Sequence, residues 1–457
     1  MAGLFAVLLP VVLGCAFVLR FARLNNLQPR WAAALVIFGS GAAVGMGATS
    51  ILFFLALLLI PASPSLAMWV EIGIVAWISY ELFRHRSSGA RAEGSYPFPW
   101  NLALMGGLIL ALALVIGAMS GAWESDPEGN WDAWTIWNVR ARFLAAGGSL
   151  AQRAWSPLLR YTHPEYPLLT SAFVARAWAY SHSMSTAVPI AVSCMFFLAL
   201  ISLVTGGVAA WHSRPLGLLL GLALTATPTL VHAVPDQYAD VPLACYFAGA
   251  IMLALLDRPA LAGLLAGLAA WTKDEGLLFV AVFLTAAAVF KRRQLLRLFA
   301  GAAAGGAVAV FFKAVLARGI PSLLSGSPRN LAQHLTDPAR YRQVALAMAA
   351  EFGNMGIGWY HPVLPALILA IALRFELRRE RDLLFCCTVA LLLYAGYFAV
   401  YIITPNDLTW QLQTSLSRVY LQFWPILLLA IWTALRSPES TAIIHGQVTK
   451  AGKKAKS

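Results

Sequence analysis

The residues best suited to chemistry lie in one acidic and aromatic segment, 129–142, which reads Gly-Asn-Trp-Asp-Ala-Trp-Thr-Ile-Trp-Asn-Val-Arg-Ala-Arg. The segment follows an apolar run over 102–119 and belongs to the only long polar stretch in the first half of the chain. Asp132 stands among three tryptophans, and two arginines follow it. A carboxylate just past the end of a membrane span, in these surroundings, indicates interfacial chemistry on a charged lipid.

Four acids of this stretch are candidates for a catalytic base: Glu124, Asp126, Glu128 and Asp132. If the stretch is helical, Trp131, Trp134 and Trp137 share one broad face that could lie on lipid, while Asp132 points elsewhere. The alternative interpretation is a solvated acidic loop whose tryptophans form an aromatic belt at the membrane surface.

Two further polar segments follow. His163-Pro164-Glu165-Tyr166-Pro167 predicts a rigid, extended entry to the next helix, because each proline disfavours helix in the residue before it. Asp236 and Asp240 stand four residues apart at the end of another apolar run. A charged group near the bilayer centre costs roughly 2.5–3.5 kcal/mol, so such carboxylates usually face a cavity or a partner.

The sharpest internal signal is Lys273-Asp274-Glu275, which interrupts the apolar stretch 259–290. As one helix that stretch would be about 48 Å long, which is too long for a single crossing. The chain is therefore expected to turn at the three charges. Each half is then only about 20 Å long, which favours a turn in a recess below the outer surface. Lys273 in such a recess could neutralise a phosphate; the alternative is an ordinary hairpin in which it pairs with a neighbouring acid.

Arg418 enters the last apolar run on the side opposite the basic clusters, and this position calls for an anionic partner. We place it at the end of an outer loop over 404–419. Another predicted outer loop, 317–361, could host an acceptor or a lipid head group, although nothing in it has diagnostic spacing.

The composition fixes the class of protein. Of the 457 residues, 60% are hydrophobic and only 12% are charged, and the mean hydropathy is +0.72. These values exclude a soluble globular domain and predict a polytopic helical membrane protein. The formal net charge of +13 comes from short basic clusters between apolar runs, which is typical of cytoplasmic loops rather than of nucleic-acid binding. The five cysteines all lie in apolar runs and are expected to be small core residues.

The fold class expected is all-α, a transmembrane bundle of about thirteen spans. Apolar runs place them near 2–19, 32–60, 66–83, 101–119, 187–211, 215–231, 240–256, 259–272, 276–290, 296–316, 362–375, 383–403 and 420–436. All basic clusters can lie on the cytoplasmic side if the N-terminus is outside and the C-terminus inside. The loops with most of the unusual polar residues then face outward. The segment 167–180 is kept as a helix on the outer membrane face, with Arg176 at the interface.

One integral domain with five parts is expected from this pattern. They are three additional N-terminal spans in 1–99, a core in 100–316 that includes a first outer loop 120–186, the outer loop 317–361, C-terminal spans in 362–436, and a basic cytoplasmic tail in 437–457. Motifs for ATP-driven transport, dinucleotide binding, zinc proteolysis and serine hydrolysis are absent from the sequence.

These motifs resemble those of the GT-C superfamily of integral membrane glycosyltransferases, in the bacterial branch near the aminoarabinose transferases and protein O-mannosyltransferases. Trp131-Asp132-Ala133-Trp134 sits where that family carries its first-loop catalytic aspartate. His163-Pro164-Glu165-Tyr166-Pro167-Leu168 resembles its His-Pro-Pro-Leu segment, with insertions. Thr272-Lys273 matches its Thr-Lys-Gly pattern, with two acids inserted before Gly276. The resemblance covers roughly residues 100–290.

The resemblance implies a polyprenyl-phosphate-linked sugar donor and a glycan, lipid or protein acceptor, met on the periplasmic face of a bacterial inner membrane. Asp132 would be the base, with Asp126 and Glu124 left open, and Lys273, Arg418 and Arg140 would bind the donor phosphate. Substrate-binding roles are expected for a further set: His163, Tyr166, Asp236, Asp240, Glu275 and Trp134. No cofactor is required, although a divalent metal is possible. A transporter or lipid-linked sugar flippase, and a scaffold without catalysis, are the alternatives.

Overall fold

A computed structural model gives the fold and describes residues 2–22, 24–63, 65–84, 99–321, 327–356, 361–376 and 379–439. Within these ranges the chain is helical and has no strand, apart from one isolated antiparallel bridge between Phe375 and Leu435. The all-α prediction is therefore confirmed for this part of the chain. The predicted basic tail lies outside the described residues from 440 onward.

Nineteen α-helices are described. In the first half they are α1 Ala2–Phe21, α2 Arg30–Leu59, α3 Leu66–Arg84, α4 Pro99–Ser125, α5 Val139–Ala146, α6 Gly148–Ala151, α7 Leu169–Ser181, α8 Ala187–Trp211, α9 Arg214–Thr225 and α10 Pro228–His232. In the second half they are α11 Asp240–Leu255, α12 Pro259–Thr272, α13 Asp274–Phe290, α14 Leu295–Phe311, α15 Pro328–Leu335, α16 Pro338–Gly353, α17 Val363–Leu373, α18 Glu380–Ile403 and α19 Leu408–Ala434. Two π-helical segments, Ala133–Asn138 and Phe312–Leu316, directly precede α5 and follow α14.

Seven helices of the described chain are long and apolar enough to cross a membrane, and they make the chain a candidate multi-pass membrane protein. They cover Gly3–Phe21, Arg30–Leu59, Asn101–Ser125, Ala187–Trp211, Arg292–Leu316, Glu380–Ile403 and Leu408–Ala434. The other six predicted spans coincide with helices that are shorter or less apolar, so the count of thirteen is not confirmed. One boundary was wrong: most of the predicted loop 404–419 is the first part of α19, so Arg418 lies inside a long helix.

Helix α13 connects the two ends of the bundle. It begins after Lys273 and ends before Lys291, whose Nζ lies 2.7 Å from an Oδ of Asp382 at the start of α18. The basic cluster 291–293 and the charged start of α18 therefore share one end of the bundle. Lys273 lies at the opposite end, as the sequence pattern predicts for an outer turn.

Small residues let α12, α13 and α14 approach closely. Gly263 and Gly267 of α12 face Gly301 and Gly305 of α14, where a Cβ on any of them would collide with the backbone of the facing helix. Paired small residues at four-residue spacing are a common way to bring membrane helices into contact. This packing holds α12 firmly beside α14 and so fixes where the turn at Lys273 lies.

Gly276 is required for the same reason at the turn itself. A Cβ at this position would collide with the backbone carbonyl of Ala269 in α12. Gly276→Ala is therefore expected to destabilise the protein by about 1–3 kcal/mol, the usual cost of forcing extra atoms into a packed site. Thermal unfolding of the detergent-purified protein measures this loss. Gly117→Ala is the control, because nothing lies within 4 Å of the added Cβ; equal melting temperatures for the two variants would contradict the packing.

The helix α7 is buried inside the protein, which corrects the expectation that it lies at the membrane interface. Arg176 is fully buried, and its Nε lies 2.6 Å from Oε1 of Glu71 in α3, which is also fully buried. The hydroxyl of Tyr180 donates to the same carboxylate at 3.0 Å. A buried charge needs a partner, and here the partner comes from the three N-terminal helices. These helices therefore hold this part of the loop 120–186 in place.

Candidate functional site

The first loop is fastened to the turn that precedes α11. The backbone N–H and the side-chain amide of Asn130 donate to the backbone carbonyl and Oδ1 of Asp236, at 3.3 and 3.2 Å. Asn138 donates to Oε1 of Gln237 at 3.3 Å, and Gln237 donates to the carbonyl of Pro127 at 3.2 Å. Gln237 has a φ of 58°, in the left-handed region, which turns the chain sharply into α11. These bonds bring Asp132 close to the first residue of α11.

Asp132 and Asp240 share one arginine. Nη1 of Arg418 lies 2.7 Å from Oδ2 of Asp132, and its Nε lies 2.9 Å from Oδ2 of Asp240. The guanidinium also stands over the ring of Tyr238 at 4.4 Å from its centroid. Asp132 and Arg418 are partly open, with 18% and 21% of their side chains exposed, whereas Asp240 is buried. The N-terminus of a helix favours a negative charge, so α11 stabilises the ionised carboxylate of Asp240.

Lys273 binds the other oxygen of Asp240. Its Nζ lies 3.3 Å from Oδ1 of Asp240 and 2.7 Å from Oε1 of Glu275, and only 7% of the side chain is exposed. The lysine is fixed there because the chain turns between α12 and α13. Asp274, the next residue, points to another partner, since its carboxylate lies 2.6 Å from Nζ of Lys313 in the second π-helical segment.

Sequence reasoning missed two residues that support Asp240. Gln422 follows Arg418 by one helical turn and donates to Oδ1 of Asp240 at 2.6 Å. Tyr397 of α18 in turn donates to Oε1 of Gln422 at 2.8 Å. A signal for Gln422 was present, because it is a polar residue in an apolar run, four residues from an arginine and hence on the same helix face. Tyr397 carried no comparable signal.

The candidate binding residues of the segment 163–167, which contains two prolines, lie together on the side of Lys273. The rings of His163 and Tyr166 are stacked with centroids 4.6 Å apart, and Nδ1 of His163 lies 3.2 Å from Oε1 of Glu165. Nζ of Lys273 stands 5.9 Å from the centroid of the Tyr166 ring. Burial raises the pKa of the Tyr166 phenol, and the nearby carboxylate of Glu275 adds to the rise. Tyr166 is thus a neutral hydrogen-bond donor at any physiological pH.

Two of the sequence candidates lie elsewhere. Arg140 is buried and donates to the backbone carbonyls of Ala154 and Tyr166 at 2.9 and 2.6 Å. Its role is therefore to hold the backbone around Tyr166 in place. Burial lowers its pKa to about 10, and it remains cationic at neutral pH. Trp134 packs edge-on against Trp131 with ring centroids 4.7 Å apart, and both are exposed. Side chains two positions apart along a helix point to nearly opposite sides. Because Asp132 faces the cluster, Trp134 faces away from it.

Asp236 lies beside the cluster rather than in it. Its carboxylate accepts from Asn130, and burial raises its pKa although that hydrogen bond and the charge of Arg418 act to lower it. Its contacts hold the first loop against α11. In the described ranges, no three His, Cys, Asp or Glu side chains are arranged to hold a metal ion.

The central group therefore consists of Asp132, Arg418, Asp240, Lys273 and Glu275, in which cations and carboxylates alternate. We call these five residues the charged cluster. Three carboxylates and two cations give it a net charge of −1, and they come from four different parts of the chain. An anionic ligand could take the place of one of these carboxylates on a cation.

The chain was compared with protein-family models, curated proteins and solved structures. No family model, curated protein or solved structure matches it. The conclusions about function therefore rest on the site itself.

Proposed function

We propose that the protein is a membrane glycosyltransferase that moves a sugar from a polyprenyl-phosphate donor to an acceptor hydroxyl on the periplasmic side of the membrane. The observation that carries the proposal is the Asp132–Arg418–Asp240–Lys273 series of contacts at one end of the bundle. It combines a partly open carboxylate with two fixed cations, which are the groups needed for a base and for a departing phosphate.

The reaction is a single displacement. Asp132 takes the proton of the acceptor hydroxyl, and the hydroxyl oxygen attacks the anomeric carbon. The bond between that carbon and the phosphate oxygen breaks, and the lipid phosphate leaves with the electron pair. No covalent intermediate forms on the protein, so the configuration at the anomeric carbon inverts. Lys273 and Arg418 stabilise the negative charge that grows on the phosphate.

The ion pair between Asp132 and Arg418 makes donor binding precede proton transfer. Nη1 of Arg418 occupies Oδ2 of Asp132 at 2.7 Å. A donor phosphate that draws Arg418 toward itself frees this oxygen to accept the proton of the acceptor hydroxyl. The base is then active only when the donor is in place, which protects the donor from reaction with water.

Lys273→Ala tests the phosphate site. Removal of the buried ammonium should weaken binding of farnesyl phosphate, a short lipid phosphate, by about tenfold or more, since a charge-assisted contact is worth roughly 1.5–3 kcal/mol. Binding to the purified protein is measured by isothermal titration. The matched control is Lys291→Ala, which breaks a lysine–aspartate pair at the other end of α13 that is as short, at 2.7 Å, as the Lys273–Glu275 pair. Equal affinities for both variants and the wild type would rule out a phosphate site at Lys273.

A further inference from the structure

The two carboxylates on Lys273 differ in how firmly they are held. Asp240 has 1% of its side chain exposed and also binds Arg418 and Gln422. Glu275 has 21% of its side chain exposed, and its second oxygen, Oε2, has no hydrogen-bond partner. Asp240 is therefore a permanent member of the charged cluster. Glu275 is bound through a single oxygen on one side of the lysine.

The position of Glu275 allows it to leave without disturbing the fold. It lies in the first turn of α13, so rotation about its side-chain bonds moves the carboxylate while the helix stays in place. Lys273 remains neutralised by Asp240 when Glu275 departs. An ammonium has three donors, so the vacated donor can be given to an oxygen of a ligand.

The charge of the cluster then decides which ligand fits best. We propose that Glu275 is a displaceable stand-in for the donor phosphate and makes the site select a sugar linked through a phosphodiester over phosphates of higher charge. This inference rests on the proposed function. A phosphodiester carries one negative charge, as Glu275 does, so the exchange leaves the net charge of the cluster at −1.

The same exchange promotes release of the product. Transfer of the sugar leaves a lipid phosphate monoester, whose charge at pH 7 is about −1.5 to −2 because its second pKa is about 6. This extra charge lies beside the fixed carboxylate of Asp240. Asp132 carries the proton of the acceptor after the transfer, and it becomes a second repelling carboxylate once that proton passes to solvent. Return of Glu275 to Lys273 restores the original charge and displaces the product. Binding of the donor and release of the product thus use one carboxylate.

Glu275→Gln tests the inference, because the amide keeps the shape of the side chain and removes its charge. The probes are farnesyl methyl phosphate, a diester, and farnesyl phosphate, a monoester, with affinities measured at pH 8. We expect the variant to bind the diester about threefold and the monoester about tenfold more tightly than the wild type, because the more highly charged ligand gains more from the lost repulsion. The matched control, Glu128→Gln, removes a carboxylate that pairs with Arg142 outside the cluster and should change neither affinity.

Other outcomes would overturn the inference in recognisable ways. Unchanged affinities in Glu275→Gln would show that the glutamate does not compete for the site. Weaker binding of the diester would show that Glu275 contacts the ligand. In both cases a loss of binding in Lys273→Ala would leave the proposed phosphate site standing. If Lys273→Ala binds both probes as the wild type does, the site itself is refuted, and this inference with it.

Discussion

Asp132→Asn is expected to lower the turnover number for sugar transfer by about a thousandfold, within the range of 10²–10⁴ for loss of a general base. The amide cannot accept the proton of the acceptor hydroxyl at neutral pH. It keeps the size of the side chain and can still accept a hydrogen bond from Arg418, which also retains Asp240. Insertion into the membrane and thermal stability should therefore change little. Transfer of radiolabelled sugar in membranes that contain equal amounts of each variant measures the effect.

The control for this prediction is Asp126→Asn. Asp126 is an exposed acid of the same loop and lies outside the charged cluster, so its variant should keep wild-type activity. An Asp132→Asn protein with full activity would remove Asp132 from the mechanism. An inactive Asp126→Asn protein would assign the base to Asp126, one of the acids that the sequence left open.

Asp240→Ala is expected to have the largest effect on the structure of the site. Among the residues that the structure describes, Asp240 is the carboxylate that contacts both Arg418 and Lys273, and it is buried. Removal of one partner from a buried ionic network costs about 3–5 kcal/mol. We expect the lower end of this range, since Arg418 keeps Asp132 and Lys273 keeps Glu275. The two cations would then repel each other, and the variant should lose both phosphate binding and transfer.

Thermal unfolding and farnesyl phosphate binding check this expectation together. Asp382→Ala is the matched control, because it breaks an aspartate–lysine pair at the other end of the bundle where both side chains are more exposed. That variant should lose only about 1 kcal/mol, as is usual for pairs near a surface. An Asp240→Ala protein as stable as the Asp382→Ala protein would mean that Asp240 does not hold the two cations together.

The sequence predicted which end of the bundle holds the polar residues, but not how they pair. Asp132, Lys273 and Arg418 were all assigned to one side from the distribution of basic clusters, and the structure brings them together. The central place of Asp240 was not predictable, because it depends on the packing of α11 against α19, and Arg418 lies 178 residues away along the chain.

Two sequence-based predictions were wrong, the loop before Arg418 and the position of Arg176, and each error has a specific cause. The polar run before Arg418 was taken for a loop, yet it is helical, and its Gln411 is buried against the rest of the bundle. Arg176 was placed at the membrane interface because a helix with one arginine and several aromatic residues suits that position. The pattern carries no information about Glu71, whose position 105 residues earlier in the chain makes burial of the arginine possible.

The most direct test of the central claim is mass spectrometry of envelope glycans and glycolipids from cells that lack the gene for this protein. Our account predicts that one sugar is missing from one class of envelope molecule, and that the wild-type gene restores it while the Asp132→Asn gene does not. An unchanged envelope, or full restoration by the Asp132→Asn gene, would contradict the account.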